Sequence, residues 1–377
     1  MTTRILSVFG TRPEAIKMSS VVHELTRYPD LFESRVCVTA QHREMLDQAL
    51  DLFGIRPEYD LDLMQRNQSL TDLTGEILSG LEPVLREFRP DCVLVHGDTT
   101  TTFAATLASF YGGAAVGHVE AGLRTGNLLA PWPEEANRRL TSVLTKYHFA
   151  PTQHARQNLL SEGVADTSIT VTGNTVIDAL LSTVMKLEQD PVLAASVAAR
   201  FDYLDRTKRL ILVTGHRRES FGEGFKSLCR CLRQIILEHE DVQIVYPVHL
   251  NPQVREPVHN MLSGIDRIFL IGPEEYLPFV YLMGRCDLII TDSGGIQEEA
   301  PSLGKPVLVT RDTTERPEAV SAGTVTLVGT KSDNLLEEVN KFLSGDGSGR
   351  ERRVISNPYG DGFASQRIVD ALKSGFG

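Results

Sequence analysis

The chain has 377 residues, which is more than one hydrophobic core usually supports, because single cores stop growing near about 250 to 300 residues. Its formal net charge of -11 argues against a nucleic-acid-binding protein, whose surface would be basic. The five cysteines are scattered without zinc or thioredoxin spacing, and no apolar run approaches the ~18 residues of a membrane span. We therefore expect a cytoplasmic protein of two domains, with reduced thiols and no nucleic-acid or membrane partner.

Short apolar segments bounded by Gly, Pro or Asp alternate along the chain with longer segments of helical periodicity. This alternation predicts βαβ units, and hence parallel sheets covered by helices on both faces. The predicted strands are residues 4–9, 35–40, 91–96, 114–119, 147–150, 168–172, 209–214, 242–248, 267–272, 287–291, 306–310 and 325–329.

The strand and helix pattern occurs twice, and both halves open alike. "SVFGTRPEAI" at 7–16 corresponds to "LVTGHRRESF" at 212–221. We interpret the chain as an α/β protein with two doubly wound domains, whose boundary falls within 173–208 before a new first strand at Arg209. In such sheets ligands bind outside the carboxyl ends of the strands, so two facing domains would form a cleft lined by strand-end residues.

"GTRPEAIK" (10–17) follows the first strand. Thr11 and Glu14 have the spacing of a capping box, with Pro13 in the first turn, so Glu14 is predicted to be structural. Arg12 and Lys17 have no such role. Beside a helix N-terminus they are candidates for anion binding, and the alternative is that both are solvated surface cations.

"TDSGGIQEEAPSLGKP" (291–306) also follows a strand. Ser293, Gly294 and Gly295 leave room for a phosphate to approach the backbone amides, although two glycines could simply form a tight turn. Glu298 and Glu299 either favour the helix dipole or accept hydrogen bonds from sugar hydroxyls. Downstream, Arg311 and Arg316 follow another strand, and at least one of them is predicted to face the same anion.

Two His/carboxylate pairs at neighbouring strand ends raise the alternative of a metallohydrolase. His96 and Asp98, like His118 and Glu120, are two residues apart, which places each pair on one face of a strand. The threonine run after Asp98 suits helix capping better than a metal site, so no metal or other cofactor is expected.

"PWPEEANRRLTS" (131–142) contains the only tryptophan and opens a helix with Glu134 and Glu135. Glutamates at this position usually interact with the helix dipole, but the two prolines suggest a fixed loop at a site. His216 ends the first strand of the second half, and as a turn residue it need not be functional. Proton transfer on a phosphorylated substrate is the chemistry that these features indicate together: the strand-end carboxylates, His216, the cations and the two anion sites.

Several long segments resemble one family, the non-hydrolysing bacterial UDP-N-acetylglucosamine 2-epimerases. The resemblance covers nearly the whole chain, from about Arg4 to the last helix, with the motifs in order. The segments are "FGTRPEAIKM", "HGDTTTTFAATLASF", "HVEAGLRTGN", "PWPEEANRR", "VTGNTVIDAL", "TGHRRESFGEGF", "PVHLNP" and "TDSGGIQEEAPSLGKPVLVTRDTTERPEAV".

The resemblance implies the GT-B-type glycosyltransferase fold, in which two Rossmann-like domains close around a sugar nucleotide, usually as a homodimer. The expected domains are residues 1–173, joined by the last helix at 364–377, and a UDP-binding domain at 174–363. The implied reaction interconverts UDP-N-acetylglucosamine and UDP-N-acetylmannosamine by loss of UDP, through 2-acetamidoglucal, and its re-addition. The family commonly supplies surface-polysaccharide synthesis.

The resemblance also implies roles for individual residues. Asp98, Glu120, Glu134 and His216 resemble the catalytic residues, with Asp98 favoured as one acid/base at C2 and Glu120 or Glu134 as its partner on the opposite face. The implied substrate-binding residues are Arg12, Lys17, Glu274, Phe279, Ser293, Gly294, Gly295, Glu299 and Arg316. Among them, Glu299 would hold the ribose hydroxyls, and Phe279 with Glu274 would lie by the uracil.

Some members of the family bind a second UDP-N-acetylglucosamine as an activator, and Gln41 and His249 match positions used there. Glu44 stands where those members have glutamine, and Asn67 where they have arginine, with Arg66 one place earlier. Loss of an arginine weakens an anion site, so the same activation is not expected. The alternatives to a non-hydrolysing epimerase are a hydrolysing epimerase, a glycosyltransferase, a metal-dependent phosphohydrolase and a nucleotide-sensing module.

Overall fold

The computed structural model describes residues 2–40, 43–63, 68–217, 221–345 and 357–376. The chain divides into two compact units. Unit 1 runs to Ala179 and resumes at Tyr359, and unit 2 spans Leu180–Pro358. None of the helices in the described part of the chain combines the length and apolar character that a membrane crossing requires.

The strands follow the predicted ones closely, and each unit has one parallel sheet. The strands are β1 Thr3–Phe9, β2 Phe32–Val38, β3 Tyr59–Asp60, β4 Cys92–His96, β5 Ala115–Val119, β6 Tyr147–Ala150, β7 Ile169–Val171, β8 Arg209–Thr214, β9 Val242–Pro247, β10 Ile268–Ile271, β11 Leu288–Thr291, β12 Val307–Val309 and β13 Val325–Leu327. All twelve predicted strands are present, and among the strands of the described residues only β3 was missed, because two residues are too short for a periodic pattern.

The helices cover the sheets and connect the parallel strands. They are α1 Arg12–Thr26, α2 Arg43–Phe53, α3 Leu70–Phe88, α4 Thr100–Tyr111, α5 Glu134–Leu144, α6 Gln153–Ser161, α7 Thr175–Gln189, α8 Pro191–Ala199, α9 Glu223–Glu238, α10 Pro252–Leu262, α11 Tyr276–Arg285, α12 Gly294–Glu299, α13 Pro317–Ser321, α14 Ser332–Ser344 and α15 Ala364–Phe376. Short 3-10 turns occupy Asp166–Ser168 and Ala300–Leu303.

The strand order of each sheet locates the place where a ligand is expected. In unit 1 the order is β3-β2-β1-β4-β5-β6-β7, and in unit 2 it is β10-β9-β8-β11-β12-β13. In unit 1 the chain therefore adds β2 and β3 on one side of β1 and then, from β4 onward, adds strands on the other side. In unit 2 the same change of side separates β9 and β10 from β11 and its successors, around β8. Ligands of doubly wound folds bind outside the carboxyl ends of the strands at such a switch point.

Unit 1 ends later in the sequence than the predicted boundary at 173/174, and it resumes earlier than residue 364. The first part of α7 belongs to unit 1 because it is tied to the returning chain. The backbone N–H of Asn174 donates to the carbonyl of Tyr359 at 2.6 Å. The carboxylate of Asp178 accepts the backbone N–H groups of Ala364 and Ser365, so the start of α15 is held against α7.

Candidate active site

The turn after β1 lies at the switch point of unit 1 and is built around Glu14, which is 3% exposed. Thr11 and Glu14 form the predicted capping box of α1, and Glu14 Oε2 also accepts the backbone N–H of Gly10 at 3.0 Å. The hydroxyl of Thr99 donates to Glu14 Oε1 at 2.7 Å and so joins this turn to the start of α4. Glu14 is therefore a structural residue.

Lys17 and Glu120 form a buried ion pair in unit 1. Lys17 is one turn into α1 and Glu120 follows β5, and their side chains are 15% and 9% exposed. Two further side chains contact the same carboxylate oxygen of Glu120: Nε2 of His96 lies 3.4 Å away, and the amide of Asn174 donates at 3.1 Å. The structure thus joins a predicted anion-binding cation directly to a predicted catalytic carboxylate.

The surroundings of Glu120 determine its ionisation. Burial by itself would raise the pKa of the carboxyl, but the charge of Lys17 and the contact with His96 outweigh burial and hold the pKa well below its usual value. The backbone of Glu120 has a φ of 67°, in the left-handed region that is unfavourable for a residue with a Cβ atom. Glu120 is therefore an ionised carboxylate on a strained backbone, as is common at functional sites.

Asp98 lies at the neighbouring strand end, after β4, and forms an ion pair with Arg138 of α5. The other end of the Arg138 guanidinium donates to Glu135 at 3.1 Å. Glu135 is fully buried and accepts the backbone N–H of Thr125 at 3.0 Å. The side chain of Asp98 is 29% exposed, so it is held by a cation while remaining accessible.

Glu134 is the first residue of α5, as predicted, and Arg12 is the first residue of α1. The Oε2 atom of Glu134 is buried without a hydrogen-bond partner among the described residues. A buried carboxylate oxygen without a donor is costly, unless a ligand or solvent supplies one. This oxygen is therefore a candidate to receive a proton or a hydrogen bond from a substrate.

The metal alternative finds no support in the geometry of the described residues. His118 is fully buried, and its Nε2 lies 2.7 Å from the carbonyl oxygen of Gly97. Burial lowers the pKa of His118 to about 3, so the imidazole is neutral and acts within the core. Across the described ranges, no three His, Cys, Asp or Glu side chains are grouped so that they could hold a metal ion.

His216 and Asp292 lie at the switch point of unit 2, after β8 and β11. Nδ1 of His216 is 3.2 Å from Oδ1 of Asp292, and Oδ2 accepts the backbone N–H groups of His216 and Arg217, each at 2.9 Å. Burial opposes ionisation of Asp292, but the hydrogen bonds from His216 and Arg217 prevail and lower its pKa. His216 itself is 42% exposed and therefore accessible.

The Ser293-Gly294-Gly295 segment opens α12 beside Asp292. A Cβ atom on Gly294 would lie 3.7 Å from a guanidinium nitrogen of Arg316, so Arg316 covers this turn. The Nε of Arg316 forms an ion pair with Glu298, which is 1% exposed. A guanidinium nitrogen of Arg217 lies at the same distance of 3.7 Å from this Cβ position, so two cations face the turn. Glu298 holds Arg316 there instead of acting only on the helix dipole.

The other arginine of this region, Arg311, is paired elsewhere. It donates to Glu315 at 2.6 Å, and Arg217 lies 3.7 Å from the same carboxylate. Burial would raise the pKa of Glu315, but the hydrogen bond from Arg311 and the nearby charges lower it to about 2.

Three further predicted binding residues lie around α11. Tyr276, the first residue of this helix, donates its hydroxyl to Glu299 Oε1 at 2.6 Å. Glu274 forms an ion pair of 2.6 Å with Arg200, and its pKa is raised because burial outweighs the charge of Arg200. Phe279 lies in the second turn of the same helix and is partly buried.

Of the two candidate activator-binding residues, Gln41 lies outside the described residues, as do Arg66 and Asn67. His249 follows β9, and its ring stacks on that of His216 with centroids 5.9 Å apart. Burial and the neighbouring His216 lower the pKa of His249. Glu44 is exposed on α2.

Residue patterns assigned no supporting role to four side chains that contact the predicted site residues: Arg138, Asn174, Tyr276 and Asp292. Arg138 follows Glu134 and Glu135 at helical spacing, which could have indicated an ion pair within α5. Asp292 is one of the polar residues that end the predicted strands, as Asp98 is, but the sequence assigned it no role. Asn174 and Tyr276 have no local signal, because their partners are far away in the sequence.

Comparisons with known proteins agree on one family. A family model described as UDP-N-acetylglucosamine 2-epimerase matches residues 23–373. The UDP-N-acetylglucosamine 2-epimerase of Yersinia pestis is 62% identical over 371 residues, which cover 98% of each chain. The crystal structure of UDP-GlcNAc 2-epimerase from Neisseria meningitidis bound to UDP-GlcNAc has a TM-score of 0.91 and 53% identity, and covers 99% of this chain and 100% of that one. The Methanocaldococcus jannaschii enzyme in complex with UDP-GlcNAc and UDP has a TM-score of 0.81 at 33% identity, over 99% and 100% of the two chains.

Proposed function

Because the chain belongs to the UDP-N-acetylglucosamine 2-epimerase family, we propose that it interconverts UDP-N-acetylglucosamine and UDP-N-acetylmannosamine by eliminating UDP and adding it back. The enzyme is an isomerase, and its two parallel α/β sheets have the fold of these relatives. One observation supports the mechanism most directly: the accessible carboxylate of Asp98 is paired with Arg138 of α5, and Glu134 at the start of the same helix has a buried oxygen without a hydrogen-bond partner among the described residues.

The proposed reaction begins with removal of the proton at C2 of the sugar by a carboxylate. The electron pair of the C2–H bond forms the C1=C2 double bond of 2-acetamidoglucal, and the C1–O bond breaks with its pair on the diphosphate oxygen. A second acid then delivers a proton to C2 from the opposite face, the electron pair of the C1=C2 double bond forms the new C2–H bond, and a lone pair of the diphosphate oxygen of UDP forms the C1–O bond again. C2–H is weakly acidic, so the diphosphate charge must be stabilised while the C1–O bond breaks.

Asp98 is proposed as the acid/base on one face of C2, since its side chain is accessible and oriented by Arg138. For the opposite face, Glu134 is favoured over Glu120. The low pKa of Glu120 makes it a weak base, whereas Glu134 has an oxygen without a donor among the described residues. Glu120 would instead hold Lys17, and Lys17 and Arg12 would bind the diphosphate.

In unit 2 we assign the UDP to the turn that opens α12. The backbone amides of Ser293, Gly294 and Gly295, together with Arg316, would bind the diphosphate, because the two glycines carry no side chain of their own that could block its approach to the amides. Glu299, oriented by Tyr276, would accept hydrogen bonds from the ribose hydroxyls. Phe279 and Glu274 would lie by the uracil.

His216 would donate a hydrogen bond or a proton to the departing diphosphate oxygen. Its Nδ1 faces Asp292, so its Nε2 is the nitrogen left for a substrate. Chemistry by these side chains requires no resident cofactor. A homodimer, a cytoplasmic location and a supply of precursor for surface polysaccharide are further predictions that rest on the family resemblance.

The decisive experiment incubates the pure protein with UDP-N-acetylglucosamine in D2O, with and without a chelator, and follows the products by proton NMR. We expect UDP-N-acetylmannosamine to appear, with deuterium at C2 of both intact UDP-sugars and no effect of the chelator. Free N-acetylmannosamine with UDP would identify a hydrolysing epimerase instead. Loss of turnover with chelator would require a metal, and an unchanged substrate would disprove the proposal.

A further inference from the structure

Arg138 connects the proposed catalytic carboxylate of Asp98 to the buried core of unit 1. One guanidinium nitrogen pairs with Asp98 Oδ2, and another donates to Glu135 Oε2 at 3.1 Å. The Arg138 side chain is only 11% exposed and the Glu135 side chain is fully buried. A planar guanidinium that bonds two carboxylates at once has little freedom to rotate.

Glu135 is itself anchored, so the connection is rigid at both ends. Its two carboxylate oxygens accept the backbone N–H groups of Thr125 and Gly126, at 3.0 and 3.3 Å, in the loop that precedes α5. The helix holds the backbone of Asp98 as well, since the amide of Asn137 donates to the Asp98 carbonyl at 3.0 Å. Both the main chain and the carboxylate of Asp98 are therefore fixed by α5.

We propose that Arg138 is a positioning residue for the epimerisation: bound to Glu135, its forked guanidinium fixes the Asp98 carboxylate in the orientation needed for proton transfer at C2. This role rests on the proposed function and adds a residue that does not itself touch the reacting atoms. The same helix begins at Glu134. One rigid element therefore carries both Glu134, the second proposed acid/base group, and Arg138, which supports Asp98.

The chain supplies a matched control in the next residue. Arg139 lies on the same helix but is 43% exposed and pairs with Glu162 at 3.3 Å, away from Asp98. Four variants make the comparison: Arg138→Met removes the guanidinium, Arg138→Lys keeps the charge without the fork, Arg139→Met removes a surface arginine, and Asp98→Asn removes the proposed base. The measurements are kcat and KM with UDP-N-acetylglucosamine, the Kd for UDP and the thermal unfolding midpoint.

We expect Arg138→Met to lower kcat about 100-fold, the order expected for a displacement of about 1 Å in a catalytic group. KM and the UDP Kd should stay within about threefold of wild type, because no substrate contact is lost. Arg138→Lys should recover to about tenfold below wild type, since a point charge restores the ion pair but not the two-point geometry. Arg139→Met should match wild type, and Asp98→Asn should bind UDP while turnover collapses.

Several outcomes would overturn the role of Arg138. They are a kcat for Arg138→Met within about threefold of wild type, a loss confined to KM, or wild-type kcat in Arg138→Lys. If Arg138→Met does not fold because Glu135 is left unpaired, Arg138→Lys alone decides, since it retains the buried cation. A wild-type protein without epimerase turnover would instead overturn the proposed function, and this role with it.

Discussion

Nδ1 of the His216 imidazole lies 3.2 Å from Oδ1 of Asp292, and the other oxygen of this carboxylate accepts the backbone N–H of His216 itself. Asp292 is 1% exposed, so one buried carboxylate bonds the main chain of an accessible histidine and lies beside its ring. A carboxylate at Nδ1 selects the tautomer and the ring orientation of a histidine, and leaves Nε2 for a ligand.

Replacing Asp292 with Asn should therefore impair His216 without removing it. We expect kcat to fall about 100-fold, comparable to the loss of other partners that orient a histidine. The measurement is steady-state epimerase activity, with Asp202→Asn, an exposed aspartate of the same unit, as the control. An Asp292→Asn enzyme with the kcat of wild type would show that His216 does not need this partner.

Lys17 and Glu120 should stabilise unit 1 only as a pair. Lys17→Met leaves the buried Glu120 carboxylate without its cation, and we expect the free energy of unfolding to fall by about 3 kcal/mol. Adding Glu120→Gln removes the stranded charge and should restore much of the stability, but not the activity. Urea unfolding measures the difference.

The control for this cycle is Lys226→Met. This lysine pairs with Glu223 on the surface, where the two side chains are 51% and 75% exposed, so the change in the free energy of unfolding should be small beside that of Lys17→Met. If the double variant were no more stable than Lys17→Met, the buried carboxylate would not be the source of the loss.

Tyr276→Phe should weaken UDP binding through Glu299. The phenol donates to Glu299 Oε1 at 2.6 Å, and without this hydrogen bond the proposed ribose-binding carboxylate is less well oriented. We expect the Kd for UDP to rise about tenfold, the value of one hydrogen bond to a charged group. The Kd for 2′-deoxy-UDP should change less, because that ligand has fewer hydroxyls to offer.

Isothermal calorimetry with both nucleotides tests this expectation, and Tyr281→Phe in the same helix is the matched control. Tyr281 stacks on Phe201 with ring centroids 5.8 Å apart, so removal of its hydroxyl leaves the stacking in place. Equal effects of Tyr276→Phe on the two nucleotides would speak against a ribose contact by Glu299.

Glu315 should make the stability of unit 2 sensitive to acid. Its pKa is lowered from 4.5 to about 2, so the folded state favours the ionised carboxylate. The sign of the effect follows from linkage: the stabilisation is complete above pH 4.5 and is lost as the pH falls toward about 2. The unfolding midpoint of Glu315→Gln should lie below that of wild type at pH 7, and the difference should shrink below pH 4.5. A difference that did not vary with pH would point to packing instead of charge.

Local patterns in the sequence were sufficient to predict the twelve strands, the α/β class and the Thr11–Glu14 capping box. These features depend on residues close together in the chain, through alternating burial and hydrogen bonds across one helical turn. Several of the predicted residues, among them Asp98, Glu120 and His216, also fall at strand ends for a local reason, since polar residues there interrupt apolar runs. Their roles remain predictions.

The partners of those residues were decided only by the tertiary structure. Lys17 meets Glu120 across 103 positions of sequence, Asp98 meets Arg138 across 40, and His216 meets Asp292 across 76. Such pairs depend on the order of the parallel strands and on the register of helices packed beside them, which no local spacing encodes. The sequence by itself therefore determined which ionisable groups lie at the strand ends. The fold determined which cation or carboxylate holds each one, because only packing brings distant charges into contact.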